Sequence, residues 1–324
     1  MSGSSSKQID IAPAASGWRG RLPELALVLV TMVWGGTFLV TRLALDQSGP
    51  FAFLSLRFGV AAAAIFLLFA PRMRGLTRAE VRAGLIISLA AFGTYGLQTL
   101  GLQHIASSKS AFITALYVPV VPILQLALYR KSPRAAAWLG IAMAFAGLIL
   151  LSAGEGLSPS FGVGEWLTLG GALAAAMQIV LIGRWARSGD PMRLAFVQLA
   201  ALTAFSVAGM AVAGERIPPM TPGLLGAGVG MGLFGTAFAL AAMNWAQRTV
   251  SPARATVIYA MEPVWGGVVG ALAGELMTAG MIGGSALIVA GVLVSELPFV
   301  ERLLQRPIRS RPIDDNDIAE PLAA

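Results

Sequence analysis

Glu262 is the only carboxylate near the middle of any long apolar stretch of this chain, about ten residues and so roughly 15 Å from the stretch's end at helical rise. An acid at that depth in a bilayer is costly, so it is expected to face a cavity or a partner. There it could bind an amine or carry a proton, or it could act structurally by capping backbone freed by Pro263. Polar side chains recur around it at helical spacing. Thr256, Tyr259 and Glu262 fall at i, i+3 and i+6, and Ser110, Thr114 and Tyr117 at i, i+4 and i+7, so each set makes one stripe. Tyr95 and Gln98 lie one turn apart on a third segment, and Gln178 and Asn244 each interrupt a further apolar run. Such residues can line a polar, partly aromatic cavity, or they can hydrogen-bond one helix to another.

Other residues bear on the same chemistry. Trp34, in Trp34-Gly35-Gly36-Thr37-Phe38, and Trp265 lie deep enough to stack on a planar ligand or to pack, whereas Trp18, Trp166 and Trp185 lie at segment ends and read as interface anchors. Arg57, in LSLRFGVAA, can snorkel to the interface, pair inward, or meet a substrate carboxylate. His104 and Lys109 fall in a short outer loop, where solvation is expected. With no cysteine and a single histidine, thiol chemistry and a multi-histidine metal centre are excluded, and no cofactor is implied. Gly230-Met-Gly232-Leu-Phe-Gly235 matches G-x-G-x-x-G, but no strand precedes it. Gly228, Gly232 and Thr236 instead form a small-residue face for close helix packing. There is no phosphate-binding P-loop and no nucleophile–base pair, which leaves neither an ATP motor nor an enzyme supported.

The elements that must position these groups are membrane helices. With 56% hydrophobic residues, 12% charged residues and a mean hydropathy of +0.75, the chain is suited to lipid. Segments near 25–44, 51–70, 83–103, 109–129, 135–153, 164–184, 193–213, 222–246, 252–273 and 278–297 are each long enough to cross, with turn or charge signals between them. Pro119, Pro122 and Pro263 break two of them and are candidate hinges. Nineteen of the 23 basic residues fall on one face if the N-terminus is inside, so both termini are expected in the cytoplasm, with tails at 1–24 and 298–324. The net charge of +7 thereby follows from topology and calls for no nucleic-acid partner.

The sequence also repeats. QHIASSKSAFITALYVPV at 103–120 returns 144 positions later as QRTVSPARATVIYAMEPV at 247–264, each copy fourth in its own run of five segments. Repeats are therefore expected at 25–153 and 164–297, joined by a hinge loop at 154–163. An odd number of crossings per half would invert the second. The expected fold is an all-α integral membrane protein of ten transmembrane helices in two inverted five-helix repeats.

These residues resemble the drug/metabolite transporter superfamily, and within it the ten-helix EamA family. The likeness spans nearly all of 25–297 and rests on Trp34-Gly-Gly-Thr-Phe, Pro50 through Leu56-Arg57-Phe58, Pro119-Val120 and, most specifically, Glu262-Pro-Val-Trp-Gly-Gly-Val-Val-Gly-Ala-Leu-Ala-Gly-Glu275. Family members generally repeat the acid after the proline in both halves; here Lys131 replaces it in the first. The resemblance implies an inner-membrane carrier that exports small metabolites, with amino acids the best-known cargo. It places a central cavity among the helices carrying Trp34, Tyr95, Gln98, Tyr117, Asn244, Tyr259 and Glu262, with spans five and ten peripheral. Alternative expectations are efflux of aromatic or cationic toxic compounds, or a channel-like facilitator. The partners implied are a small-molecule substrate, the lipid bilayer and, through Glu262, a proton.

Overall fold

A computed structural model describes residues 21–130, 132–152, 162–272 and 278–296, and every regular element among them is helical. In chain order these are α1 (Leu22–Trp34), α2 (Thr37–Leu45), α3 (Pro50–Met73), α4 (Arg78–Gly101), α5 (Ser107–Thr114), α6 (Tyr117–Tyr129), α7 (Ala135–Ser152), α8 (Val163–Trp185), α9 (Pro191–Val212) and α10 (Pro222–Gly230). A π-helical stretch (Met231–Phe238) follows, then α11 (Ala239–Ala246), α12 (Pro252–Tyr259), α13 (Glu262–Leu272) and α14 (Ala279–Glu296). Proline in the first turn starts α1, α3, α9, α10 and α12, where its missing N–H costs nothing. Thr77, Asp190, Thr221 and Ser251 accept hydrogen bonds from the first-turn amides of α4, α9, α10 and α12.

Seven stretches, the first running Leu22–Leu45 through α1 and α2, are long and apolar enough to cross a bilayer, and Ala135–Leu150 and Ile282–Ser295 are shorter apolar helices. The chain is therefore a multi-pass membrane protein. Its outward side chains agree: Leu67, Leu68, Val212 and Phe234 are exposed, as lipid-facing residues should be. The expected C-terminal tail, Lys131, Glu275 and all but the end of the hinge loop fall outside the described residues. The first helix already begins within the stretch assigned to the N-terminal tail.

Two of the crossings are broken at equivalent places, and proline is the reason. Pro119 has no N–H to give the carbonyl of Ala115, and Pro263 has none for Tyr259; in each case the α-helix ends there and restarts two or three residues on. The amide of Val118 turns back to the Ala115 carbonyl (3.0 Å), and that of Met261 to Ile258 (3.0 Å). A third break, at Gly35-Gly36, lets α13 come close: a Cβ on Gly35 would lie 2.8 Å from the Gly266 nitrogen.

The contacts repeat between halves as well. α4 packs on α8 as α1 packs on α11; α4 meets α9 as α3 meets α10 and the π stretch; α5 and α6 meet α8 as α12 and α13 meet α1. All of these contacts run from one half to the other, as do α3–α9, α6–α12 and α7–α14, with α7 and α14 packed chiefly on one another at the periphery. Gly228 and Gly232 allow the π-helical segment onto α3, where a Cβ on Gly232 would lie 2.9 Å from the Arg57 carbonyl oxygen. Ion pairs follow the same pattern. Lys109, expected to be solvated, is instead paired with Glu165 at the start of α8, and Arg254 pairs with Glu24 at the start of α1 (3.2 Å).

Glu80 clasps the halves directly. It is 3% exposed; Oε1 accepts from the Arg193 Nε (2.9 Å) and the Asp190 amide (2.9 Å), while Oε2 accepts from the Thr77 amide and hydroxyl (both 2.9 Å). Glu80→Ala leaves those donors unpaired and is expected to cost on the order of 2–3 kcal/mol. The check is the thermal denaturation midpoint in detergent, which should fall clearly for Glu80→Ala and less for Glu80→Gln; equal midpoints for all three proteins would remove the clasp from the account.

Candidate functional site

Where the broken helices meet, one cavity is lined by α1–α2 (Trp34, Thr37, Phe38), α3 (Arg57), α4 (Thr94, Tyr95, Gln98), α5–α6 (Thr114, Tyr117), α8 (Ala175, Gln178, Ile179), α11 (Met243) and α13 (Glu262). Both halves therefore contribute. The cavity volume is about 60 Å³. That is room for a few waters or one small, snugly held molecule.

The helix breaks explain how the polar groups reach this depth. Tyr117 is the first residue of α6 and Glu262 the first of α13. Each sits at a helix N-terminus created by a proline further on, and a carboxylate is favoured at such an end by the helix dipole. Glu262 is 8% exposed, and among the described residues its carboxylate has no hydrogen-bond or ion-pair partner. Gln98 donates from Nε2 to the Thr114 hydroxyl (3.1 Å), tying α4 to α5. Gln178 is 4% exposed and its Nε2 has no partner, so the wall presents a buried donor that costs about 1–3 kcal/mol until something accepts from it. Trp34 donates from its indole N–H to the Gly235 carbonyl (3.0 Å) on the π stretch.

Of the residues singled out in the sequence, Trp34, Tyr95, Gln98, Tyr117, Gln178 and Glu262 come together on this wall. Asn244 and Tyr259 do not line it. Asn244 is fully buried between helices, accepting from the Gln198 Nε2 (3.0 Å) and donating to the Leu240 carbonyl (2.8 Å). Tyr259 stands behind Trp34, ring centroids 5.7 Å apart, and accepts from the Gln247 Nε2 (3.3 Å). Trp265 donates to the Thr31 hydroxyl (3.0 Å) and is likewise off the wall. Pro119, Pro122 and Pro263 sit just beyond the breaks, without lining the cavity.

Arg57, for which the sequence leaves snorkelling, inward pairing and a substrate carboxylate all open, joins the wall as well. It does not snorkel: at 4% exposure it points inward, with Nε donating to the Thr236 hydroxyl (2.6 Å), Nη2 to the Gly235 carbonyl (3.4 Å), and the guanidinium 5.0 Å from the Tyr95 ring centroid. Its signal was its place in a span, shared with any snorkelling arginine. The π-helical stretch left no signal beyond its glycines. It matters because Gly235 and Thr236 hold both Trp34 and Arg57, and π turns recur at functional sites.

The EamA-like transporter family matches the chain twice, over residues 21–153 and again over 162–297. The chain belongs to this family. The double match covers both sets of helices that enclose the cavity, so the EamA repeat and the structural repeat coincide. An Archaeoglobus fulgidus protein named as an uncharacterized transporter is 30% identical over 284 residues, covering 87% of this chain and 88% of its own. Escherichia coli K12 YedA, named as an uncharacterized inner membrane transporter, is 31% identical over 261 residues, covering 78% of this chain and 83% of its own. One solved crystal structure superposes with a TM-score of 0.69 at 19% identity, over 86% of this chain and 98% of that one, a likeness of fold.

The absence of native cysteine allows the wall to be mapped with single introduced thiols. Gln98→Cys and Gln178→Cys are expected to react with a small charged thiosulfonate reagent in purified protein, and Asn244→Cys to stay protected. Labelling of Asn244→Cys as fast as the other two would place the cavity elsewhere.

Proposed function

We propose that the protein is a secondary transporter that exports amino acids or related small metabolites across the bacterial inner membrane by alternating access. One observation carries this reading: a cavity with polar side chains on its wall lies between the two repeats where broken helices meet, so that rocking one half against the other would open it to either side. In this reading the chain crosses ten times, five per half, with the halves inverted and both termini in the cytoplasm. Lys109–Glu165 and Arg254–Glu24 then lie at opposite faces, in positions to close the outer and inner ends in turn. Family membership and the printed name of the YedA relative support the membrane assigned.

Trp34, Tyr95, Gln98, Tyr117, Gln178 and Glu262 would contact the cargo, while Asn244 and Tyr259 would hold the wall from behind. Glu262, unpaired and reached by the cavity, is the group able to carry a proton between states. A second reading, efflux of aromatic or cationic compounds, draws on Trp34 and Tyr117 beside that same acid. The two differ in charge logic, and flux into liposomes with a panel of amino acids and quaternary amines separates them.

Saturable amino-acid counterflow, stimulated by unlabelled substrate on the far side, is the expected result. No amino-acid counterflow would sink the leading reading, and flux without saturation would indicate a channel. Glu262→Gln is expected to abolish accumulation driven by a pH gradient while downhill exchange persists; unchanged pH-driven accumulation would make the acid structural.

A further inference from the structure

A base and an acid line this cavity without meeting. No ion pair joins Arg57 to Glu262, which puts the guanidinium nitrogens and carboxylate oxygens more than 4.0 Å apart. Nor does any other acid among the described residues pair with Arg57; its two hydrogen bonds go to a hydroxyl and a carbonyl, both neutral. A buried charge without a counter-charge is strongly unfavourable, more so when its solvation is confined to a narrow cavity.

The way Arg57 is held indicates what would complete it. A guanidinium carries five N–H donors in a planar fork. Nε is spent on Thr236 and one Nη2 proton on Gly235, while Nη1 makes no hydrogen bond among the described residues. Tyr95 and Phe58 flank the guanidinium at 5.0 and 5.7 Å, and those two rings pack edge to face on each other at 5.2 Å. The group is thus fixed from behind and at its sides, with its Nη end left over. That end is suited to a carboxylate, which takes two parallel N–H bonds from such a fork.

We propose that Arg57 is the specificity-determining residue that recognises cargo through a carboxylate, with Glu262 taking the amine of the same molecule, so that the cavity selects small zwitterions. This rests on the export reading above and deepens it. A zwitterion supplies both missing counter-charges at once, whereas a carboxamide or a plain amine leaves Arg57 uncompensated.

The test uses proteoliposomes holding the full chain as wild type, Arg57→Gln, Arg57→Lys or Thr236→Val, each first checked for monodispersity. Counterflow of alanine, leucine and phenylalanine is compared with that of their carboxamides. The wild type should prefer the free acids by about tenfold or more. Arg57→Gln should bring that ratio close to one through a raised KM for the acid, with carboxamide transport retained. Arg57→Lys, which keeps charge but loses the fork, should raise the acid KM and leave the carboxamide KM unchanged; Thr236→Val, which removes the bond that fixes the guanidinium, should weaken the preference. An unchanged ratio in Arg57→Gln overturns the proposal, and so does an unchanged acid KM in Arg57→Lys should the glutamine variant not fold. A wild type that moves none of the free amino acids overturns the export reading itself and this proposal with it, an outcome distinct from transport with an unaltered ratio.

Discussion

Inside a bilayer every backbone polar group needs a partner, and a proline deprives the carbonyl four residues before it of one. That constraint shapes this protein. Pro119 and Pro263 end α5 and α12 early and restart the chain as α6 and α13, so two helix N-termini lie within the bundle. Tyr117 and Glu262 occupy those N-termini and face the cavity. An uninterrupted helix would have had all its amides bonded at this depth and no dipole end to favour an acid.

Duplication supplies the break twice, and divergence supplies the chemistry once. The contacts of α4 with α8 and of α1 with α11, and the ion pairs Lys109–Glu165 and Arg254–Glu24, are counterparts of one another that each bridge the two halves. The cavity wall does not repeat. Glu262 answers to Val118, a fully buried apolar residue, across the 144-residue offset, and the π-helical stretch that holds Arg57 belongs to the second half alone among the described residues. Shared packing keeps the two halves complementary, while the unshared residues give the cavity its two charges.

The hydrogen bonds around the cavity form two layers with different duties. Asn244 ties α11 to α9 by accepting from Gln198 while donating to Leu240 in its own helix, and Glu80 joins α4 to α9 with both carboxylate oxygens engaged. On the wall itself, among the described residues, Gln178 keeps a buried donor unbonded and Glu262 has no hydrogen-bond or ion-pair partner. Gln178 and Glu262 thus differ from Trp34, Thr37, Gln98 and Thr114 on the same wall, whose polar groups are bonded within the protein.

By itself the sequence determined that the chain lives in lipid, where its apolar segments fall, that it is duplicated, that two helices break at proline, and that Glu262 is the acid at depth. These follow from hydropathy, spacing and proline chemistry, all local along the chain. Tertiary structure alone decided which faces meet. It turned Arg57 inward onto Thr236, 179 positions away, set Asn244 and Tyr259 behind the wall, gave Lys109 a partner in Glu165, and drew a glycine-rich segment into a π-helix against α3. A one-dimensional pattern gives the depth of a residue in a helix, but the side of the helix that faces a cavity depends on contacts between segments far apart in sequence, and those are settled only by packing.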